Sequence, residues 1–457
     1  MSWLGSAEIA RMAGGRLQGA DVPVGGVGTD SRRIEPGSLF VALSGPNFDG
    51  HDFAEAAVAG GATALMVSRP LAVGVPQIVV DDTRLALGRL AGVWRHAQQD
   101  LVVIGLTGSN GKTTVKEMTA AILSLRGPVL ATRGNLNNDI GMPLTLLGLR
   151  AEHRYAVIEM GANHFGEIRY LARICDPDIG MVTNAGPAHL EGFGDLEGVA
   201  QAKGELFEEL RPDATAIVNA DDRFEEYWRG CLHGQRMIRF GLGAEAEVRG
   251  EPHGSHLRIH WQGDSVEVAL SVPGRHNRAN ALAAAAAALA AGATLDEVRR
   301  GLEAFRPVHG RLEPLRGPAG MRLIDDSYNA NPASLGAAIE VLAEQPGERW
   351  LVLGDMGELG EAARSLHREA GQLAADRGID RLFALGELAA GAAEAFGPGA
   401  EVFDSHEALV ARLAGEAGPQ VTALVKGSRS MAMERVVQGL ATAGDSASNE
   451  GGQGHAA

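Results

Sequence analysis

The run LVVIGLTGSNGKTT (101–114) decides the fold of this chain. LVVIGL is a continuous apolar stretch of strand length, and a strand apolar along its whole length is one buried on both faces of a parallel sheet. It ends in a glycine-rich loop, and a helical pattern follows over about 113–125. Strand, loop and helix in that order are the setting in which such a loop holds phosphate. Gly108 and Gly111 let backbone N–H groups approach phosphate oxygens, and the helix N-terminus adds positive potential. Thr107, Gly108, Ser109, Asn110, Gly111, Lys112, Thr113 and Thr114 are therefore the candidate nucleotide-phosphate contacts. Lys112 is placed to reach the β- and γ-phosphates and Thr113 to ligate Mg²⁺. The spacing departs from GxxxxGK[ST], since position 106 is Leu and the preceding glycine is Gly105. A glycine-rich turn that contains GK by chance is the alternative.

Outward from this loop the alternation continues. YAVIEM (155–160), IGMVT (179–183) and TAIVN (215–219) read as further buried strands, with helices at about 165–173 and 196–210 between them. This predicts a parallel sheet covered on both faces. Residues 236–272 hold short runs that read as antiparallel, and helices are expected at about 276–291 and 294–304. FRPVHGRLEPL (305–315) reads as a hinge. Beyond it MRLIDD, RWLVLGD (349–355), RLFALG (381–386) and TALVKG (422–427) alternate with helices as a second Rossmann-like unit. Before the loop, SLFVAL (38–43), TALMV (63–67) and QIVVDD (77–82) form a small α/β unit, followed by a helix over 84–98. The fold class is thus α/β in three domains: 1–83, a central phosphate-loop domain at 84–312, and 313–442. A polar Gly/Ser-rich tail from 443 is expected to be disordered.

The totals narrow the function classes. The net charge of −16 over 457 residues, without a Lys/Arg-rich stretch, argues against nucleic acid or an anionic membrane as partner. Cys175 and Cys231 form no pair motif, so neither a disulfide framework nor a cysteine zinc site is expected, and a reducing cytoplasm fits. The N-terminus shows no signal-peptide pattern, and the longest apolar run, ALAAAAAALAA (281–291), is too short to span a bilayer.

Only four of the 41 basic residues are lysine: Lys112, Lys116, Lys203 and Lys426. Where arginine does nearly all the cationic work, a retained lysine marks a need for a compact ammonium or a reactive amine. Lys116 reads as an ordinary solvated helix residue. Lys203 falls on the apolar stripe of the 196–210 helix, while Glu205, Glu208 and Glu209 fall mostly off it. It either snorkels to water or sits desolvated with a lowered pKa, in which case carbon dioxide would convert it to a carbamate able to ligate metal. Lys426 ends a strand and opens a Gly-Ser turn.

Other candidates gather at strand ends, where ligands sit in open α/β sheets. Glu159 closes the strand YAVIEM and is placed either to hold Mg²⁺ or to sit solvated. VTNAGPAHLEGFG (182–194) brings Asn184 and His189 to the same edge, although a lone histidine is more often structural. Asn277 and Asn280 in HNRAN lie on one helix face, suited to reading a base edge or to capping. Arg311 stands in the hinge, where domain closure would swing it onto a phosphate. DDSYNANPASL (325–335) and LGDMGELG (353–360) leave two strands of the last unit in the same manner, which suggests a cleft between the domains.

These motifs in this order resemble the Mur ligase family, the ATP-dependent amino-acid ligases of peptidoglycan precursor synthesis. TGSNGKTT, EMGA (159–162), NAGPAHLEGFG (184–194), AKGELF (202–207), HNRAN and GRLE (310–313) match its central pattern, and DSRRIEPGSLFVALSGPNFDGHDF (30–53) looks like its uridine-diphosphate-binding domain. The resemblance implies that Lys203 is a carbamylated lysine at one of two Mg²⁺ ions and that Glu159 and His189 are metal-site residues. It implies that Asn277 and Asn280 lie near adenine, Asp326 at the ribose and Arg311 at the γ-phosphate. Ser31, Arg32, Asn47, Asp49, Gly50 and His51 would hold the UDP-sugar. Tyr328, Asn329 and Lys426 would face the incoming dipeptide.

The C-terminal motifs DSYNANPASL, LGDMGELG with His367 beyond it, and LVKGSRSMAME (424–434) imply the branch that joins D-alanyl-D-alanine to UDP-N-acetylmuramoyl-tripeptide. That reading carries ATP and Mg²⁺ as cofactors, a cytoplasmic monomer, and no nucleic-acid or membrane partner. The alternatives are a tripeptide-forming member adding diaminopimelate or lysine, for which a DNPR-type motif is missing, a folylpolyglutamate synthase, and a non-catalytic ATP-binding regulator.

Overall fold

A computed structural model describes residues 3–46, 48–187, 190–243, 245–254 and 256–441. Asn47, His189 and the tail beyond 441 lie outside the described residues.

The central sheet runs, neighbour to neighbour, through Val129–Ala131, Tyr155–Glu159, Val102–Thr107, Ile179–Val182, Thr215–Asn219, Arg236–Gly241, Val248–His253, His256–Trp261 and Asp264–Val268. Val102–Thr107 pairs in parallel with Tyr155–Glu159 on one side and Ile179–Val182 on the other. The chain leaves it for one half of the sheet and later returns to fill the other. The phosphate loop therefore opens at a topological switch point, where an open parallel sheet forms its crevice. The apolar runs are buried as their patterns predict, with Ile104, Leu106, Val157, Ile158 and Met181 all fully enclosed.

The 236–272 region is antiparallel only in part. Arg236–Gly241 continues the parallel sheet beside Thr215–Asn219, and Val248–His253 pairs with it in parallel for two residues; only the last three strands form an antiparallel meander. The Asp264–Val268 strand also stops short of the expected run to 272. Short runs of a few apolar residues carry no signal for strand direction.

The helix Lys112–Leu123 packs under Arg275–Ala290. Ala283 to Ala288 are all buried, and their small side chains let that helix lie close against its neighbours. Among the described residues no helix is long and apolar enough to cross a membrane.

The first sheet orders Arg16–Gln18, Gln77–Val79, Ala64–Val67, Leu39–Val41 and Val27–Gly28, parallel except for its first strand. The helix Thr83–His96 joins it to the central sheet, with Asp82 capping Arg84 and Leu85 N–H. The last sheet orders Glu313–Arg316, Arg322–Asp326, Val421–Lys426, Glu348–Gly354, Arg381–Leu385 and Ala400–Phe403, parallel except for its first strand. Asp326, Lys426 and Gly354 therefore end at one edge. Gly310 and Leu312, both with positive φ, turn the chain from the central domain into this sheet.

Candidate functional site

One cleft of about 1030 Å³ lies between the central and last parts of the chain, lined from Arg84, at the start of the helix Thr83–His96, to Arg429 beyond the last strand. Its floor is the phosphate loop, held open from the next strand end. Ser109 N–H donates to Asn184 O at 3.0 Å, Asn110 N–H to Asn184 Oδ1 at 3.0 Å, and Thr183 Oγ1 to Asn110 O at 2.8 Å. Thr107 Oγ1 donates to Met160 O at 2.9 Å. Gly111 has φ +80°, and a Cβ there would stand 2.3 Å from Asn280 Oδ1, so only glycine fits against that helix. Lys112 Nζ donates to Gly108 O at 2.7 Å within the loop, and desolvation is the main cause pulling its ammonium down.

Glu159 is buried at 2 % exposure, which excludes the solvated strand-end reading. Its Oε2 accepts from Thr113 Oγ1 at 2.9 Å and its Oε1 from Asn137 Nδ2 at 2.8 Å. A buried carboxylate and a hydroxyl side by side above a phosphate loop are hard oxygen donors of the kind Mg²⁺ takes. Arg311 reaches in from the 305–315 segment, its Nη2 donating to Thr113 Oγ1 at 3.0 Å while its guanidinium stacks 4.3 Å from the Tyr328 ring centre. Its Nε is buried and finds no partner among the described residues, a donor held ready beside the loop.

Lys203 is 1 % exposed. It does not snorkel: Nζ lies 5.3 Å from the Phe193 ring centre and meets no hydrogen-bond acceptor among the described residues. Burial, aided by the Lys112 charge, lowers its pKa to about 7. It stands behind the cleft wall rather than on it. Glu205, expected mostly off the apolar stripe, is buried too, because its carboxylate accepts from Gly166 and Arg169 N–H at 2.7 and 3.0 Å and so caps the helix Glu167–Cys175.

Lys116 corrects the sequence reading most sharply. It is fully buried, not solvated. Its ammonium donates to Thr132 O and pairs with Glu117 at 2.8 Å. Thr132 in turn accepts from Glu159 N–H at 2.9 Å through Oγ1. The lysine thus braces the strand end that carries the Glu159 carboxylate.

At the other wall Lys426 Nζ stands 2.6 Å from Asp326 Oδ2 and donates to Asn329 O at 2.9 Å. Asn331 Nδ2 crosses to Asn110 Oδ1 at 2.8 Å, tying the last domain to the loop. Asn280 Nδ2 donates to Asn277 Oδ1 at 3.1 Å, and Asn277 Nδ2 to Pro273 O at 2.8 Å, so both face the cleft as a fixed pair. His367 is buried and braces Met356 N–H, accepting at 2.8 Å.

The N-terminal candidates stand apart from this cleft. Gly50 is required by packing, since a Cβ would lie 2.5 Å from Leu43 O. His51 is buried, its Nε2 accepting from Ser68 N–H at 2.9 Å and its Nδ1 facing Asp49. That acceptor role leaves the proton on Nδ1. Asp49 is held well below the usual carboxylate range, first by the His51 backbone N–H. Arg32 folds onto Asp30 through two bonds of 2.9 Å, near Ser31 on the exposed rim.

Sequence reasoning passed over the far end of the cleft. There Arg84 Nε lies 2.7 Å from Asp139 Oδ2, with Tyr170 beside them. The run NLNND (135–139), dense in amides between a strand and a helix, was the available signal.

Three family models match in order: the Mur ligase family catalytic domain over 23–95, the Mur ligase middle domain over 106–288, and the Mur ligase glutamate ligase domain over 310–429. The UDP-N-acetylmuramoyl-tripeptide–D-alanyl-D-alanine ligase of Escherichia coli K12 is 48 % identical over 95 % of this chain and 97 % of its own length. The chain belongs to the Mur ligase family. Among solved Mur ligases, the UDP-N-acetylmuramoylalanyl-D-glutamyl-2,6-diaminopimelate–D-alanyl-D-alanyl ligase of Acinetobacter baumannii superposes with a TM-score of 0.86 at 38 % identity, covering 96 % of this chain and 98 % of that one. The MurF ligase of Thermotoga maritima, solved in complex with ADP, gives 0.81 at 28 % identity over 90 % and 96 %.

Proposed function

We propose that this Mur ligase joins D-alanyl-D-alanine to UDP-N-acetylmuramoyl-tripeptide, producing UDP-N-acetylmuramoyl-pentapeptide, ADP and phosphate. The observation that carries the reading is the single cleft in which the phosphate loop, the Thr113–Glu159 pair, Arg311 from the hinge, and the Asp326–Lys426 strand ends converge.

Loop amides and Lys112 take the β- and γ-phosphates. Asn277 and Asn280 border the adenine, and Asp326, oriented by Lys426, meets the ribose. Thr113 and Glu159 hold Mg²⁺, with His189 and carbamylated Lys203 serving a second ion; bound there, Mg²⁺ neutralises charge on the phosphoryl oxygens. Arg311 adds a guanidinium at the γ-phosphate.

The tripeptide's terminal carboxylate oxygen attacks the γ-phosphorus, a new O–P bond forms and ADP leaves. The amine of the dipeptide then attacks the acyl phosphate carbonyl, loses a proton, and expels phosphate as the amide closes. Rate comes from positioning and charge neutralisation rather than from a protein nucleophile. Ser31, Arg32, Asn47, Asp49, Gly50 and His51 hold the UDP-sugar in a domain spanning 1–83. Tyr328, Asn329 and Lys426 face the dipeptide from a domain spanning 313–442, and 84–312 carries the ATP. The enzyme works as a cytoplasmic monomer.

The test is phosphate release from ATP with the tripeptide nucleotide, with and without D-alanyl-D-alanine, followed by product mass. Dipeptide-dependent release and a product heavier by one dipeptide unit support the reading. Release driven instead by diaminopimelate or lysine on the dipeptide nucleotide contradicts it.

A further inference from the structure

We propose that the Arg84–Asp139 end of the cleft binds the side chain of the tripeptide's third residue, and that it selects a diaminopimelate-type zwitterion over the single ammonium of lysine. This rests on the ligase reading above. The third residue's own carboxylate takes the phosphoryl group, so it must lie beside Thr113 and Glu159. Asn137 is there, bonded to Glu159. Asp139 follows two residues later, at most about 7 Å of chain away. Asn138 fixes that run by accepting Gly141 N–H at 2.8 Å at the head of the next helix. A side chain leaving the phosphoryl site along this wall arrives at Asp139 and at Arg84, which comes from a separate element, the first turn of Thr83–His96.

The chemistry there is paired. Arg84 is 59 % and Asp139 26 % exposed, and a salt bridge so open to water adds little to stability. Tyr170 Oη is buried without a partner among the described residues and lies directly over Gly88, where a Cβ would stand 2.3 Å from it. Glu167, the other carboxylate on this stretch of wall, is already engaged by Asn163 and His164 N–H at 2.8 and 3.3 Å. Arg89 and Asp82, the other charges near Tyr170, oppose one another.

Lysine would bring one ammonium to Asp139 and leave Arg84 without its partner. The distal centre of diaminopimelate brings an ammonium and a carboxylate on one carbon. It replaces the Arg84–Asp139 contact with two of the same sign pattern, the arginine fork on carboxylate and the aspartate on ammonium, with the tyrosine hydroxyl as a further donor. No charge is stranded in the exchange.

The experiment compares kcat/KM for UDP-N-acetylmuramoyl-tripeptides ending in diaminopimelate and in lysine, on wild type, Arg84→Gln, Arg84→Lys and Asp139→Asn, each checked for an unchanged melting curve. Wild type is expected to favour diaminopimelate about tenfold or more. Arg84→Gln brings the ratio to within about twofold, Arg84→Lys keeps part of it, and Asp139→Asn weakens both substrates. Equal wild-type values, or a ratio that survives Arg84→Gln, overturns the proposal while leaving the ligase reading intact. Failure of both tripeptides with bound ATP overturns the ligase reading and the proposal together.

Discussion

Arg311 and Thr113 are 198 residues apart in sequence, yet Arg311 Nη2 donates to Thr113 Oγ1 at 3.0 Å. That bond carries the 305–315 segment onto the 107–114 loop, and under the proposed function it makes the position of the last domain a condition for completing the γ-phosphate site. Arg311→Ala should lower kcat by roughly 10²-fold, the usual loss when one preorganised donor at a developing charge is removed. The KM for ATP should change far less, because the loop amides and Lys112 remain. Steady-state phosphate release checks both numbers; an unchanged kcat would remove Arg311 from the site.

Lys203 predicts a pH dependence of definite sign. Its pKa falls from an ordinary 10.5 to about 7 through burial. Below about 7 the folded and unfolded chains are both protonated and the full cost of burying the charge stands. Between about 7 and 10.5 the unfolded lysine binds more proton than the folded one, so this contribution to stability rises with pH across that window. The same neutral amine is the species that reacts with carbon dioxide. Enzyme stripped of bicarbonate should therefore recover activity on its return more completely at pH 8 than at pH 6.5. Lys203→Arg should lose at least about 100-fold and recover nothing.

Lys116 is a brace under the carboxylate rather than a surface residue. Lys116→Met removes the ammonium that Thr132 O accepts and leaves that buried carbonyl unpaired, at a cost of about 1–3 kcal/mol in a urea titration. A lower kcat should accompany it, since Thr132 also holds Glu159 N–H. Loss of stability without any change in kcat would confine the residue to packing.

The contrast between Lys116 and Lys203 shows what was legible in the sequence. Helical periodicity, a local signal, put Lys203 on the core-facing stripe and left open whether it snorkels or is enclosed; the structure encloses it. Lys116 is enclosed by Thr132, which folds over it from the neighbouring strand region, and no local pattern records that. The phosphate loop, Glu159 and the Asp326–Lys426 edge were readable because strand length and strand ends place them. Arg84 and Asp139 meet only when two elements 55 residues apart pack together, so neither looked special alone.

Gly111→Ala should raise the KM for ATP by at least about tenfold while the protein still folds. The substitution strains a positive φ and drives a methyl into Asn280, the residue proposed to border the adenine. Nucleotide binding by calorimetry separates this from a general loss of structure; wild-type affinity would show that the Asn280 contact is slack.

The central claim is that the tripeptide carboxylate is phosphorylated in this cleft and that the dipeptide amine attacks the resulting acyl phosphate. Tripeptide nucleotide labelled with ¹⁸O in its terminal carboxylate tests it directly. One ¹⁸O atom should appear in each inorganic phosphate formed with D-alanyl-D-alanine present, and Arg311→Ala should slow that transfer in step with kcat. Phosphate free of label, alongside normal pentapeptide formation, would contradict the account.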